Sequence, residues 1–396
     1  MSTLALSDVS LRSRARWHTT AAVVIGAWML AGLGFFLAGA SWWAVVHPFT
    51  LGALTTAVLV YSTHFTEALT RTPAASHLPV AGRVALLQGA VLLLLVGDAG
   101  PGWSAPADLG AALVLVVLGW HGVALWSRLR RSLAGSVVVT VPFYLVAAAF
   151  LVLAVGLAWA AGRGLGSYDD LIAAHSRATV WGFTWLTVLG TIISLLPTLT
   201  GARISATARA RCTRALVVHA AGLVLAVGTL LIDAPSAALP LLVTVAAAVM
   251  LVQPVLAGVL PGTRWRTAGL GVAAGTVWMV ALATTDAVLL ARGVDPREGI
   301  RLLVPALLGA GLLQLVTSVL LHLLPILVGG GPGKVTAARE RADRGGPARW
   351  ALINLGGALT LVAPGPAGII LLALGLLGHV LALALAVTLQ YRKDPS

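Results

Sequence analysis

Long apolar runs, rather than short periodic stripes, dominate the chain. Twelve of them reach or approach the ~20 residues that cross a ~30 Å hydrocarbon core at about 1.5 Å per residue. They are 18–39, 43–66, 82–97, 108–127, 136–161, 171–197, 213–232, 236–258, 267–291, 302–327, 350–364 and 367–390. Between them stand helix breakers: Pro73, Pro79, Gly100-Pro101-Gly102, Pro235, Pro261-Gly262, Gly329-Gly330-Gly331-Pro332 and Pro364-Gly365-Pro366. The stretch 350–390 has two readings, a fifteen-residue span followed by a tight turn and a second span, or one re-entrant hairpin. The pattern predicts an all-α polytopic membrane bundle of about twelve helices forming a single integral domain over 1–396. A polar tail precedes it at 1–17, and the longest loop is 328–349.

Composition agrees. Hydrophobic residues make up 59% of the chain and charged ones 10%, with a mean hydropathy of +0.96, too little charge to cover the surface of a soluble protein. Residues 1–16 are polar and carry Arg12, Arg14 and Arg16 ahead of a full-length span, unlike a cleavable signal. The single cysteine, Cys212, excludes an internal disulfide or a thiolate metal cluster.

The basic residues set orientation, because short cytoplasmic loops carry the excess of Lys and Arg. With the N-terminus inside, the cytoplasmic segments hold 21 of the 26 basic residues. The outer segments hold four, Arg163, Arg292, Arg297 and Arg301, and Arg177 falls inside a span. An odd number of missed helices would scramble this alternation, so it supports both the helix count and an N-in, C-in topology in the plasma membrane of a bacterium. The net charge of +13 is thereby a topology signal facing anionic headgroups, and nucleic acid is not needed to explain it. The loop 328–349, rich in Gly, Arg and Glu, is expected to be mobile and too small for a separate domain.

With so little polarity in the spans, each intramembrane ionisable group is a candidate site. Position along each span assigns depth. His47, just after Trp42-Trp43, lies near the outer end of the second span, His175 and Arg177 near that of the sixth, and Asp286 near that of the ninth. His64 and Glu67 lie at the inner end of the second span, His322 at that of the tenth, and His219 and His121 in the inner parts of the seventh and fourth. His379 is near the middle of the twelfth, while His18 and His77 fall at a span end and in a loop and are set aside. His47 and His64 are seventeen residues apart, about 25 Å along a helix, so one metal cannot take both. Two groupings follow: an outer one of His47 and His175 with Arg177 and Asp286, and a weaker inner one of His64, Glu67 and His322, with His219. Neutral imidazole suits haem iron, copper or zinc. Arg177 either pairs with the propionates of a haem or snorkels to the interface. Asp286 is near enough to water to be solvated, and Glu67 stands i,i+4 from Arg71 as a helix-end pair. The outer grouping requires that the second and sixth helices touch.

Gln88, Gln253, Gln314 and Asn354 are suited to interhelical hydrogen bonds, and Gly182, Gly190, Gly309, Gly311 and Gly356-Gly357 to close backbone approach. The sixth span (Gly190 to Pro197 and Gly201) and the tenth (Ser318 to Pro325 and Gly329) each place a Pro and then a Gly four apart at a cytoplasmic exit. A helix stop explains this as well as a repeat does.

Four stretches carry a family resemblance: VHPFTLGALTTAVLVYSTHFTEALTR (46–71), AHSRATVWGFTWLTVLGTIISLLPTLTGAR (174–203), LQLVTSVLLHLLPILVGGGPG (313–333) and NLGGALTLV from Asn354. In order and spacing they resemble the N-terminal membrane module attached to certain actinobacterial copper-containing nitrite reductases. More distantly, the chain is similar to the NnrS family, membrane proteins linked to haem, copper and nitric-oxide stress, and to subunit I of haem–copper oxidases and nitric-oxide reductases. The resemblance implies that His47, His64 and His175 occupy positions where the module usually has histidine. Arg177 stands where it often has a second one. An intact binuclear oxygen- or nitric-oxide-reducing centre is not expected, because there is no His-His pair and no histidine in the outer half of the tenth span.

Three functions are in play. The first is a haem- or copper-binding membrane protein of nitrogen-oxide or respiratory metabolism, serving electron transfer, sensing or protection. The second is a membrane partner or assembly factor for a separate cupredoxin-type copper enzyme. The third is a twelve-helix secondary transporter.

Overall fold

The computed structural model describes residues 3–72, 76–98, 104–133, 137–261 and 265–391, with side chains from Ser13 onward. The Arg12 side chain, Pro73, Gly100-Pro101-Gly102, Gly262, Arg264, Arg392 and Lys393 lie outside the described residues. Thirteen helices are present among those described: α1 Thr3–Leu37, α2 Trp42–Thr70, α3 Leu78–Asp98, α4 Ala105–Arg130, α5 Val138–Gly162, α6 Tyr168–Thr200, α7 Ala206–Leu230, α8 Pro235–Val259, α9 Thr267–Ala291, α10 Pro296–Val328, α11 Pro332–Asp343, α12 Gly346–Val362 and α13 Pro366–Tyr391. All but α11 and α12 are long and apolar enough to cross a membrane. The protein is an all-α polytopic bundle.

The helices start where the sequence offers a cap. Ser41, Ser167 and Ser205 accept the N–H groups of Ala44, Asp170 and Ala208, and Asp295 accepts those of Arg297 and Glu298. Pro296, Pro332 and Pro366 occupy the first helical position of α10, α11 and α13, where no N–H is missed. The 350–390 stretch forms two antiparallel helices joined at Pro364-Gly365. The first, α12, has 17 residues and rises about 26 Å.

One expectation fails. The segment expected to be a mobile loop, 328–349, contains α11, whose Ala338 and Ala342 are buried against the bundle. Alanine at i and i+4 gives this otherwise charged helix a narrow apolar seam.

Contacts between loops agree with the charge alternation. On the basic face Arg128 pairs with Glu67 at 2.7 Å, the Leu133 N–H donates to the Thr70 carbonyl at 3.3 Å, and Thr19 meets Tyr391 at 3.0 Å. On the opposite face Arg163 pairs with Asp108, and Arg297 with Asp169.

The bundle has an internal threefold plan. Its most buried spans are α2, α6 and α10, four spans apart in the chain. α2 and α6 each pack against the span before them and the three that follow, and α10 packs against α9, α12, α13 and α1, so that the third set closes on the first. Each of the three contains one seven-residue π turn: Pro48–Leu54, Ala178–Thr184 and Leu307–Leu313. Each then continues as α-helix for 16, 16 and 15 residues and ends at a residue with positive φ, Arg71, Gly201 or Gly329. The fifth residue of every π turn is glycine. A Cβ at Gly52, Gly182 or Gly311 would lie 2.5 Å from Trp28, 2.5 Å from Phe150 and 3.0 Å from the Met279 sulfur, each on the preceding span. The likeness between the sixth and tenth spans therefore extends to the second, and what repeats is backbone shape and close approach more than residue identity.

Candidate functional site

A π turn carries one residue too many for the α ladder, so its carbonyls seek other partners. In α2 the Thr50 carbonyl takes the Thr55 hydroxyl at 2.9 Å, and in α6 the Thr184 hydroxyl donates to the Val180 carbonyl at 2.6 Å with the Thr179 carbonyl 3.4 Å away. The Trp181 carbonyl takes a ring nitrogen of His219, on α7, at 2.9 Å. The π turns of α2, α6 and α10 line one side of a cavity of about 1520 Å³, which reaches the loops opposite the basic face. Its walls are mostly apolar, with His47, His175, Thr50, Ser176, Arg297 and Arg301 among the polar groups.

The second and sixth helices do touch, and they bring His47 and His175 together. The two imidazole rings are 6.5 Å apart between centroids, with 21° between their planes. The His47 Nδ1 lies 2.8 Å from the Trp43 carbonyl, and the His175 Nδ1 lies 2.8 Å from the Ala154 carbonyl of α5. A carbonyl can only accept, so both Nδ1 atoms carry the proton and both Nε2 atoms keep their lone pair. Trp43 stacks on His47 with centroids 4.0 Å apart, fixing the ring from one side.

Arg177 and Asp286, placed with this pair by depth, turn away from it. Arg177 grips Asp286 through Nε at 3.1 Å and Nη2 at 2.6 Å, and its Nη1 donates to the Pro296 carbonyl at 2.6 Å. The Trp181 indole N–H donates to the same carboxylate at 2.8 Å. Arg177 is 1% exposed and Asp286 is fully buried. Neither snorkelling nor solvation describes them, and the Arg177 guanidinium is committed to Asp286 and the Pro296 carbonyl. The arginines in the cavity wall are Arg297 and Arg301, the latter over the Trp42 ring at 5.6 Å.

Of the inner grouping, His64 and Glu67 stay one turn apart on α2, while His322 and His219 have other neighbours. Glu67 pairs across helices with Arg128 rather than with Arg71. His64 meets His18 edge-on at 5.8 Å, and His18 meets His77 at 6.0 Å. In its loop, burial holds His77 below the ordinary histidine range, with Glu67 opposing and Arg14 adding to the effect. His322 accepts from Arg339 of α11 at 2.6 Å. The His219 Nε2 lies 2.9 Å from the Trp181 carbonyl and its Nδ1 3.2 Å from that of Thr244, and a neutral ring donates to one of them at a time. His121 meets the Ser62 hydroxyl at 3.0 Å and His379 that of Thr317 at 3.0 Å. Among the described residues no three His, Cys, Asp or Glu side chains form a metal site. Sequence reasoning missed the His18–His64–His77 contact and the buried Arg83, which donates to Thr63 from within the first turns of α3. By position Arg83 belongs with the basic residues of the cytoplasmic side, and only its three-dimensional setting distinguishes it.

The chain matches no known family model and no curated protein.

Proposed function

We propose that this multi-pass protein binds haem or copper in the plasma membrane of a bacterium and serves electron transfer, sensing or protection in nitrogen-oxide or respiratory metabolism. The observation that carries the proposal is the His47–His175 pair, 6.5 Å apart in a large cavity with both Nε2 lone pairs free. Two imidazoles sharing one metal at 2.0–2.1 Å put their nitrogens about 4 Å apart and their ring centres roughly 6 Å apart, close to this spacing. A pair of histidines with no third protein ligand suits a metal that brings its remaining ligands with it. Haem iron does so, and two-coordinate copper needs no more. The cavity exceeds the ~300–1,000 Å³ usual for small-ligand pockets, which leaves room for a porphyrin. The bound group would supply one-electron chemistry.

The chain's own residues divide the remaining work. The Trp43 and Ala154 carbonyls fix both imidazoles in one tautomer and raise their basicity as ligands. Arg301 is the arginine of the wall for an anionic edge group to meet, since Arg297 is paired with Asp169, and Asp98, Asp295 and Glu298 share the lining. The link to nitrogen oxides rests on the resemblance of 46–71, 174–203 and 313–333 to the nitrite-reductase membrane module.

Absorbance and metal analysis of the purified protein test this reading. A Soret band or bound copper is expected, lost in both His47→Ala and His175→Ala and kept in Arg177→Met combined with Asp286→Leu. Protein expressed with haem and copper supplied that carries neither, or variants that bind as well as the wild type, would overturn it.

A further inference from the structure

A groove on the outside of the bundle runs into the cavity. It lies between α1 and α2 on one side and α10 and α13 on the other, and holds about 140 Å³. Among the described residues that line it, only Trp42 has a polar group, its indole N–H. Leu30, Phe36 and Leu377 line it and are exposed on the outside of the bundle, so it opens to the hydrocarbon of the bilayer. The connection to the cavity is direct, because Trp42, Val46, Val304, Pro305, Leu308 and Ile369 line both.

The groove has a definite depth. α13 begins at Pro366, next to Pro364 and Gly365 in the outer part of the cavity wall. The groove follows this helix from Ile369 to Val380. That stretch rises about 16 Å, roughly half of a ~30 Å hydrocarbon core, so the groove spans one leaflet.

At its outer mouth α10 carries charge. Glu298, Arg301, Pro305 and Leu308 recur at spacings of three and four, share one face of the helix, and all line the cavity. Glu298 and Arg301 are exposed, and neither forms an ion pair among the described residues. Arg301 stands over the Trp42 ring at 5.6 Å. The other charged groups nearby are engaged: Arg297 with Asp169, Asp295 with the first N–H groups of α10, and Asp98 with the Ser41 hydroxyl. From water inward, this face presents a carboxylate, a guanidinium about 4.5 Å deeper, and then the apolar groove.

We propose that the groove and its mouth hold one aminophospholipid of the outer leaflet, its ammonium toward Glu298, its phosphate on Arg301 and one acyl chain along the groove. The order of groups along α10 is the order of groups along such a lipid. A phospholipid with a glycerol head leaves Glu298 without a counter-charge. A neutral isoprenoid fits the groove and leaves both charges unmet. Phosphate is the anionic group this assigns to Arg301, and the site needs no metal at His47 and His175.

Native mass spectrometry of the full-length protein in detergent tests the site, with dioleoyl phosphatidylethanolamine or dioleoyl phosphatidylglycerol added. The chain should retain a single phosphatidylethanolamine, about tenfold more tightly than phosphatidylglycerol. Arg301→Gln should weaken that binding about tenfold, the value of one charge-assisted hydrogen bond. Glu298→Gln should erase the preference between the two lipids. Ala373→Phe fills the groove without touching either charge and should release the lipid. Both charged side chains are exposed, so their variants leave the packing of the bundle intact. Equal retention of the two lipids by the wild type, a preference unchanged in Glu298→Gln, binding unchanged in Arg301→Gln or Ala373→Phe, or a neutral isoprenoid held in place of a phospholipid overturns the proposal.

Discussion

Two buried polar clusters in this bundle look alike by composition and behave as opposites. The knot of Arg177, Asp286 and Trp181 joins α6 to α9, and its guanidinium and carboxylate groups are met: two bonds from Arg177 to Asp286, one from Trp181, and one from Arg177 to the Pro296 carbonyl. The seam where Gln314 and Ser318 of α10 pass Gly271 of α9, together with His379 of α13, leaves four atoms without a partner in the protein. Burial is the same in both, near zero exposure. What differs is satisfaction. A closed network rigidifies and ties helices together, whereas an open one calls for something else to complete it. The charged pair therefore ties α6 to α9, while the Gln314 amide is buried without a partner.

The largest expected effect lies in the knot. Asp286→Ala strands the Arg177 guanidinium without a counter-charge, which for a buried pair costs about 3–5 kcal/mol. Arg177→Met combined with Asp286→Leu removes both charges and should recover most of that loss. Thermal unfolding in detergent measures it, with a deep fall in midpoint for the single variant and near wild-type behaviour for the double. A double variant as unstable as the single one would mean that the knot does more than hold α6 on α9.

Next in size is a matched pair of glycine substitutions in the π turns beside the two clusters. Gly182→Ala drives a methyl to 2.5 Å from the Phe150 side chain, against a ring with little freedom. Overpacking of this kind costs about 1–3 kcal/mol. Gly311→Ala meets the Met279 sulfur at 3.0 Å, and a flexible thioether yields at well under about 1 kcal/mol. The same unfolding assay should rank Gly182→Ala clearly below Gly311→Ala. Equal losses would show that the seam side is as tightly packed as the knot side, and would sink the contrast between them.

The fold was legible because a bilayer reduces the problem to run length and charge alternation. Depth along a span is also linear in sequence, which is why His47 and His175 were correctly put at one level. Depth is one coordinate of three. It carries no information on angle around the bundle axis, so Arg177 and Asp286 shared that level yet face each other instead of the histidines, and His64 and His322 shared another yet have different neighbours. The Glu67–Arg128 pair was hidden by a nearer decoy, Arg71, on the same helix. The π turns were hidden because they are a backbone shape spelled three ways, PFTLGAL, ATVWGFT and LLGAGLL, with only the fifth-position glycine in common. The four amides show the limit most clearly. Gln88 receives the Trp28 N–H and donates to Thr56 at 3.1 Å, and Asn354 receives the Trp278 N–H at 2.8 Å, both as glue. Gln253 is exposed and Gln314 is buried and bare. No residue-level signal separates them.

The smallest expected change in stability belongs to the seam itself, and it sharpens the comparison most. Gln314→Leu exchanges a buried amide for an apolar side chain of similar volume. In a dry seam the swap would relieve two unmet atoms and stabilise the protein by about 1–3 kcal/mol for each. In a hydrated seam the amide's bonds to water are already made, so replacing it gains apolar packing and forfeits those bonds, and the net should stay within about 1 kcal/mol of zero. The midpoint of unfolding should therefore hardly move if the seam is hydrated. A large stabilisation would show that the seam holds no water, leaving Gln314 as an unpaired amide, whereas Asp286→Ala would still unfold the knot.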